Sequence, residues 1–416
     1  MTRRITPLRI VIGTGALAAL GAGAWPLLAQ GGSAPTARYE MRAETMSGMG
    51  AMGQGGGMGS ALSMAFGGGG SQVSKVLELE IGSSLAAADG KPKADHFMPA
   101  GAKLGKSVPL KTPARAPEGT PGEFQRPKGR MLIYWGCGEH APRGQPVVID
   151  FAKLAAGQVP PGLWSANVPM EHWVSPASSR TYARWPNEDG KSSLKSDSSL
   201  LGAHRIAGNY TPEIAFTLTK DFMAALRASS ANNASGSILL SWNAVPEATG
   251  YYAWLIGGKG GQRGEMTDIV WWASSSSREF GGGLSDWLSP ATVARLVNSR
   301  VVMSPQTTTC TIPAEVKRDA PDYQFVMLNA FGPEESFAFP PRPGNPRTPW
   351  TPMWTARIMH KSMTSLMPGM PGMDGASQQQ SEPQCQPKKK KGLGGLGGAI
   401  GGALGGIVGG GGGDGC

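Results

Sequence analysis

Methionine is the residue whose type and spacing in this sequence most directly suggest a chemistry. One run lies within "MTSLMPGMPGMDG" and comprises Met363, Met367, Met370 and Met373. A second group lies in a glycine-rich tract near the start and comprises Met46, Met49, Met52, Met58 and Met64. Thioether sulfur is a soft ligand that favours Cu(I). The first run therefore predicts a site for Cu(I) or Ag(I), and copper is the one cofactor that the sequence suggests.

The run at 363–373 resembles the methionine-rich segments of periplasmic copper-resistance proteins. Those segments usually also contain histidine, whereas only His360 lies near this run. The alternative interpretation is a spacer in which methionine serves as an unbranched, adaptable side chain. Both interpretations stay open at this point.

Four cysteines occur, and this number is too small for a disulfide-dense scaffold. In an oxidising compartment Cys137 and Cys310 are candidates for a disulfide between two domains. The alternative is a pair of buried, unpaired thiols. Cys385 and Cys416 lie on segments whose composition is typical of mobile chain, and they are candidates for intermolecular bridges.

The sequence offers no recognisable set of catalytic residues. Cys137, Glu139 and His140 lie close together in "WGCGEH", but a catalytic Cys–His pair forms through space, and this local spacing is no signature. His96, His140 and His172 each follow an acidic residue without metal-ligand spacing, so we expect exposed loop histidines. The chain contains no GxSxG, HExxH or phosphate-binding loop. We therefore predict a non-enzymatic protein.

Five aromatic residues cluster in the second half of the chain. They are Tyr251, Tyr252, Trp254, Trp271 and Trp272. Such residues can line a ligand surface, but large aromatic side chains more often fill a core. Core packing is the interpretation that we favour.

The elements that must position these residues are mostly β-strands. Residues 38–46 and 73–82 alternate apolar and polar side chains and predict two paired strands. The tract at 46–70 between them is too rich in glycine to pack, and it predicts a mobile loop. Further strand-like runs occur at 129–138, 145–154 and 210–223, separated by Pro/Gly/Ser stretches at 107–128 and 155–200. The pattern predicts a mainly β fold with two β-sandwich-like domains and long loops.

A domain boundary is predicted at "SSANNASG" (229–236), which ends an N-terminal domain at 38–228. After it, "SWNAVPEATGYY" places Trp242 in one strand and Tyr251 at the start of the next. With "TCTIP" and "YQFVMLNAFGPEES" further on, residues 234–341 resemble a fibronectin type III domain. The resemblance implies a last hairpin that turns at the glycine of "AFGPEES". It also implies an adhesion or spacer module without catalytic residues.

An insertion at 259–306 departs from the fibronectin type III pattern. It contains one predicted helix, because Ser289 can cap the helix, Pro290 suits its first position and "ATVARLVNS" follows. After the domain, residues 342–391 are rich in Pro, Met and Gln, end in four lysines, and predict a linker.

The chain ends in a glycine-rich tail at 392–413. Fourteen of its 22 residues are glycine, and one row recurs every four residues at Gly394, Gly398, Gly402, Gly406 and Gly410. In a helix this row forms a stripe along which two backbones can approach closely. The tail is similar to the glycine-zipper segments of bacterial envelope proteins.

The free energies of helix formation and of membrane insertion show that this tail is not stable as a single helix. Each interior glycine costs about 1 kcal/mol relative to alanine, so a free helix in water carries a penalty of roughly 14 kcal/mol. Six large aliphatic side chains supply only about −2 to −4 kcal/mol on insertion into a bilayer. We therefore predict membrane association or self-association through 392–413, with a disordered tail as the alternative.

The first 29 residues combine three arginines with an apolar stretch and predict an export signal or an uncleaved anchor. The formal charge of +10 includes those arginines and Lys388 to Lys391, so only about +3 belongs to the rest of the chain. No basic stripe of the kind that nucleic acid requires is present, and no nucleic-acid partner is expected.

We accordingly predict an exported protein of the periplasm, outer membrane or cell surface with a structural or binding role, for which other envelope proteins are candidate partners. Binding of Cu(I) or Ag(I) by the methionine-rich segments is the alternative function. An enzyme built on the N-terminal domain ranks third.

Overall fold

The computed structural model describes residues 34–52, 73–113, 129–158, 171, 173–187, 194–260, 266–280, 283–345 and 348–369. Its strands are β1 (Ala37–Gly48), β2 (Val73–Ser83), β3 (Ala94–Phe97), β4 (Ser107–Leu110), β5 (Arg130–Trp135), β6 (Val147–Asp150), β7 (Thr181–Trp185), β8 (Gly202–Gly208), β9 (Ile214–Leu218), β10 (Ala228–Asn232), β11 (Ile238–Trp242), β12 (Gly250–Gly260), β13 (Met266–Ala273), β14 (Thr309–Ile312), β15 (Tyr323–Phe339) and β16 (Trp354–Leu366). Its helices are α1 (Met49–Met52), α2 (Phe151–Ala155), α3 (Pro290–Asn298) and α4 (Ala314–Asp319). In the part of the chain described here, no helix has the length and apolar character needed to cross a membrane.

The strands form one large sheet and two small ones. The nine-stranded sheet has the order β6-β5-β13-β12-β15-β16-β1-β2-β7. The four-stranded sheet has the order β4-β3-β8-β9, and the three-stranded sheet has the order β10-β11-β14. The prediction of a mainly β fold is confirmed.

Both small sheets pack on the same face of the large one. Trp354, Ile358 and Leu366 share one face of β16, because side chains two residues apart point to the same side of a strand. Trp354 and Ile358 pack in the core beneath the four-stranded sheet, whereas Leu366 packs in the core beneath the three-stranded sheet. We call these two regions the four-stranded half and the three-stranded half.

The first two strands follow the predicted alternation. Tyr39 and Met41 of β1 are buried, and β1 pairs antiparallel with β2 so that Tyr39 lies opposite Ile81. The predicted loop at 46–70 is wrong at its start, because β1 continues to Gly48 and α1 covers Met49–Met52. The rest of that loop lies outside the described residues, as do residues 1–29.

The predicted linker at 342–391 is wrong over 354–366, because those residues form β16. This strand lies at the centre of the large sheet, antiparallel to β15 and parallel to β1. Buried residues alternate with half-buried ones only from Trp354 to Ile358, and every residue from Ile358 to Leu366 is buried, including polar ones. A periodic signal this short, next to a proline-rich stretch, did not predict a strand. The predicted boundary at 229–236 also fails to divide the sheets, because it falls on the hairpin of β10 and β11 and the large sheet takes strands from both sides of it.

Several loops and turns of the prediction also differ from the structure. The stretch at 145–154 forms only the short strand β6 and then α2, whose first N–H groups are capped by the Asp150 carboxylate. β4 and β7 lie inside stretches predicted as loops, and β9 occupies only part of 210–223. The predicted glycine turn in "AFGPEES" is a register shift between Phe331 and Glu334, and β15 continues beyond it.

The helix in the insertion is confirmed. Ser289 caps α3 by accepting the N–H of Thr292 at 3.3 Å, and Pro290 occupies the first helical position. Val293 and Leu296 are buried against Tyr252 and Phe331, on the face of the large sheet opposite the two small sheets.

Candidate functional site

A cleft that can receive a ligand lies along an unpaired stretch of β15. This strand pairs with β12 only as far as Phe331, whereas it pairs with β16 as far as Phe339. From Glu334 to Phe339, its second edge therefore has no strand partner among the described residues. Unpaired N–H and C=O groups on such an edge form a template for another extended chain.

A second strand edge approaches from the other side. β9 is the outer strand of the four-stranded sheet, and its Phe216 stacks on Phe337 of β15 with ring centroids 5.0 Å apart. Ala215 of β9 and Phe339 of β15 both line a cleft of about 720 Å³. The site thus lies where the large sheet and the four-stranded sheet are both open.

Aromatic rings make up much of the lining of this cleft. Phe339 is 51 % exposed and stacks on Trp354, its cross-strand partner, with ring centroids 6.4 Å apart. Trp350 also lines the cleft, and its indole N–H donates to the Pro340 carbonyl at 2.9 Å. The register of β15 and β16 therefore fixes the aromatic surface.

Two arginines contact the cleft in different ways. The Arg342 guanidinium lies 5.6 Å from the centroid of the Trp350 ring, and no carboxylate of the described residues pairs with it. Arg357 instead pairs with Glu171 at 3.0 Å and with Glu334 at 3.1 Å. Burial lowers the pKa of Arg357, but these two carboxylates outweigh that effect and raise it. Arg342 is therefore the cation that is available to a ligand.

The chemistry that this lining supports is binding. It offers flat apolar rings, the backbone edge, the hydroxyls of Ser336 and Thr355, and one exposed guanidinium. These groups can hold an extended chain that carries apolar side chains and a carboxylate. The "FAFPPRPGNPRTPWTPMW" stretch that builds the site was interpreted mainly as linker because of its prolines.

The predicted metal ligands are only partly within the described residues. Met363 lies in β16 and is 8 % exposed, and Met367 follows the end of that strand. Met370 and Met373 lie outside the described residues. Because β1 and β16 run parallel, Met46 is the direct neighbour of Met363. The structure thus brings one methionine from each predicted group together.

Cys137 and Cys310 form a disulfide in the structure. Cys137 follows β5 of the large sheet and Cys310 lies in β14, so the bond joins the large sheet to the three-stranded sheet. A disulfide sulfur is not a thiol nucleophile, and the exposed His140 pairs with Glu315 at 3.2 Å instead. The local Cys–His arrangement is therefore absent.

A buried chain of hydrogen bonds was missed by the sequence analysis, which placed His96 in an exposed loop. His96 lies in β3 and is fully buried. Its Nδ1 lies 2.7 Å from the Tyr39 hydroxyl and its Nε2 lies 2.9 Å from Nδ1 of His204, whose Nε2 lies 2.7 Å from the Leu200 carbonyl. The pattern "ADHF" is too short to reveal an inward histidine.

The direction of this chain follows from its last member. A carbonyl only accepts, so Nε2 of His204 donates and its Nδ1 accepts. Nε2 of His96 must then donate, and Tyr39 donates its hydroxyl to Nδ1 of His96. Burial lowers the pKa of His96, with a further lowering from His204, and burial also lowers the pKa of His204. Both rings are therefore neutral.

The aromatic cluster predicted as core is confirmed for three of its members. Trp272, Tyr251 and Tyr252 are buried. Trp254 and Trp271 stack on each other with centroids 4.9 Å apart and are half-buried. They lie on the face of the sheet that Tyr252 shares, opposite Tyr251 and Trp272.

The glycines predicted to mediate assembly, from Gly394 to Gly410, lie outside the described residues. The described residues also contain no cluster of three or more His, Cys, Asp or Glu side chains that could hold a metal ion. A scan against protein-family models finds no family that matches the chain, and a search of curated proteins finds no match either.

Proposed function

We propose that this chain is an exported, non-enzymatic binding protein of the cell envelope, and that its cleft binds an extended segment of another envelope protein. The observation that supports this most directly is the combination of an unpaired edge at Glu334–Phe339 with aromatic walls. Main-chain hydrogen bonds to such an edge supply affinity, and pockets for alternate side chains supply specificity. Arg342 favours a ligand with an acidic side chain.

The arrangement of the three-stranded half supports a fibronectin type III-like unit. Its small sheet has the order β10-β11-β14, and it faces the β13-β12-β15-β16 portion of the large sheet. This is the three-plus-four arrangement that the resemblance implies. The departure is that β16 also pairs with β1. Such units serve as adhesion and spacer modules, although the fold alone does not specify an activity.

The cleft is tested with a synthetic eight-residue peptide that alternates phenylalanine and glutamate. We expect calorimetric binding to the full-length protein, and at least a tenfold weaker affinity in Phe339→Ala and Arg342→Ala. Leu201→Ala is the matched control, because Leu201 is an equally exposed apolar residue that does not line the cleft. A peptide with lysine in place of glutamate should bind more weakly.

If neither peptide binds, or if Phe339→Ala and Leu201→Ala have the same effect, the cleft is not the binding site. Circular dichroism of each variant separates this outcome from a folding defect.

We also propose that residues 392–413 mediate membrane association or self-assembly. The support is the glycine row at Gly394 to Gly410, together with the cost of a solitary glycine helix in water. Full-length protein is compared with a version that ends at Gln386, by membrane fractionation and by oligomer size. Equal distribution and equal size would contradict the role of the tail.

The alternative function, binding of Cu(I) or Ag(I), is supported by the pairing of Met46 with Met363. An anaerobic Cu(I) titration against a chelator tests it. Wild type is compared with a variant in which Met363, Met367, Met370 and Met373 are changed to Leu. Equal competition by the two proteins would contradict a role of these methionines.

A further inference from the structure

Three sulfur atoms from two distant parts of the chain lie close together beside β14. Cys137 and Cys310 are bonded, and Sδ of Met303 lies 4.0 Å from Sγ of Cys137. None of the three belongs to the methionine groups considered above. The cluster is therefore a separate concentration of soft ligands.

The backbone holds these residues in place without the disulfide. Met303 exchanges two backbone hydrogen bonds with Tyr251, at 2.8 and 3.0 Å. On either side of Cys137, Gly136 donates to the Ala273 carbonyl at 2.9 Å and Gly138 donates to the Thr311 carbonyl at 2.8 Å. Breaking the S–S bond therefore leaves both backbone anchors intact.

Solvent reaches the sulfur cluster from the side of Cys137 and Met303. Cys137 is exposed and Met303 is half-buried, whereas Cys310 is 3 % exposed. A small reductant or a metal ion can therefore approach Cys137 and Met303 from solvent. The buried Cys310 closes the inner side, and a site with only three ligands is consistent with this geometry.

We propose that Cys137, Cys310 and Met303 bind one soft monovalent cation, Cu(I) or Ag(I), after the disulfide is reduced. A dithiol supplies two electrons and two protons, becomes a cyclic disulfide, and leaves two cysteine thiols. The metal then displaces the thiol protons and binds two thiolates and one thioether. Metal–sulfur bonds of about 2.3 Å in a trigonal arrangement place the sulfurs about 4 Å apart, which matches the Cys137–Met303 separation.

The proposal makes the site dependent on redox state. In the disulfide form the two cysteine sulfurs are bonded to each other and are poor metal ligands, so Met303 is the one effective ligand of the cluster. A single thioether does not hold Cu(I) against a chelator. The reduced form gains two thiolates, which are stronger ligands than a thioether. This goes beyond the methionine-based alternative and does not depend on it.

The test uses full-length protein in which Cys385 and Cys416 are changed to Ser and Met363, Met367, Met370 and Met373 are changed to Leu. The protein is reduced with dithiothreitol, desalted without oxygen, and titrated with Cu(I) against a chromophoric chelator. We expect one Cu(I) per chain in the reduced form and none in the oxidised form. Met303→Leu should weaken binding at least tenfold, whereas the exposed Met353→Leu should not change it.

X-ray absorption should show three sulfur neighbours at about 2.3 Å in the reduced, loaded protein. Two sulfurs, or equal affinity in Met303→Leu and Met353→Leu, would overturn the role of Met303. Equal copper binding by the reduced and oxidised forms would overturn the site itself. Met303→Leu retains both Cys137 and Cys310, so its result does not depend on a variant that removes the disulfide.

Discussion

The two halves of the molecule fix a small sheet to the same large sheet by different means. In the four-stranded half, Tyr39 of the large sheet is linked through His96 to His204 of the small sheet by hydrogen bonds inside an apolar core. In the three-stranded half, Cys137 is linked covalently to Cys310. One fold thus contains a junction made of titratable side chains and another made of a reducible bond.

The largest effect is expected from breaking the histidine chain. His96→Leu removes the acceptor of the Tyr39 hydroxyl and the donor to Nδ1 of His204, so it leaves two buried polar groups unpaired. Each such group costs about 1 to 3 kcal/mol, so we expect the free energy of unfolding to fall by about 2 to 6 kcal/mol in urea titrations. His140→Leu is the control, because that exposed histidine should matter by less than about 0.5 kcal/mol. A loss below 1 kcal/mol for His96→Leu would mean that the chain is not formed.

The disulfide is expected to have the next largest effect. Replacing Cys137 and Cys310 together by Ala should lower the free energy of unfolding by about 2 to 4 kcal/mol, because the bond closes a loop across a sequence separation of 173 residues. Dithiothreitol should lower the stability of wild type by a similar amount and leave the variant unchanged. If dithiothreitol lowers the stability of both proteins equally, its effect does not arise from the Cys137–Cys310 bond.

The third prediction is that acidification destabilises the protein through the histidine chain of the four-stranded half and not through the disulfide of the three-stranded half. The pKa values of His96 and His204 are lowered by burial, so the folded state holds both rings neutral while the unfolded chain takes up protons below a pH of about 6.5. Stability present above that pH is lost as the pH falls, by at most about 1.4 kcal/mol per pH unit for each ring. Glu335 acts on His204 in the opposite direction and reduces the loss. His360, whose pKa burial also lowers, adds to it.

Urea midpoints measured at pH 7.5 and 5.5 test this prediction. The Cys137/Cys310 double variant should lose as much stability on acidification as wild type, whereas His96→Leu should lose less. An equal loss in all three proteins would show that the proton-sensitive groups lie outside the histidine chain.

The smallest predicted effect concerns the helix that covers the three-stranded half from the opposite face. Ser289→Ala removes the cap of α3 and should cost about 1 kcal/mol. The loss should be the same at pH 7.5 and 5.5 and in the presence or absence of dithiothreitol, because Ser289 contacts neither the histidine chain nor the disulfide. Burial raises the pKa of the Glu171 carboxyl, but its contacts, which include the Ser289 side chain, outweigh burial and lower it, so this carboxyl stays ionised at both pH values. Ser299→Ala at the other end of the helix is the matched control and should cost only a few tenths of a kcal/mol.

Elements with a local signal were predictable from the sequence. β1 and β2 show alternation along their length, and α3 combines a capping serine with a proline at its first position. β16 was not predictable, because its apolar period begins directly after a proline-rich stretch. Its place between β15 and β1 depends on pairing with strands far away in the sequence.

The candidate site was also not predictable, because it depends on how strands pair with each other. Phe339 and Trp354 are recognisable as aromatic residues, but their stacking depends on the register of β15 against β16. The unpaired edge exists only because β12 begins at Gly250, opposite Phe331. Neither fact has a local sequence signal. The inward position of His96 likewise depends on the face that β3 presents to β1.

The central position of β16 has a consequence for the order of events in biogenesis. Ala37 of β1 pairs with Trp354, so the middle of the large sheet joins segments more than three hundred residues apart. Contacts of such long range slow folding. A chain that crosses a membrane from its amino end cannot complete this sheet until its last strand has emerged. For the export proposed above, we expect the polypeptide to remain incompletely folded during transit and the edge of β1 to need protection from aggregation.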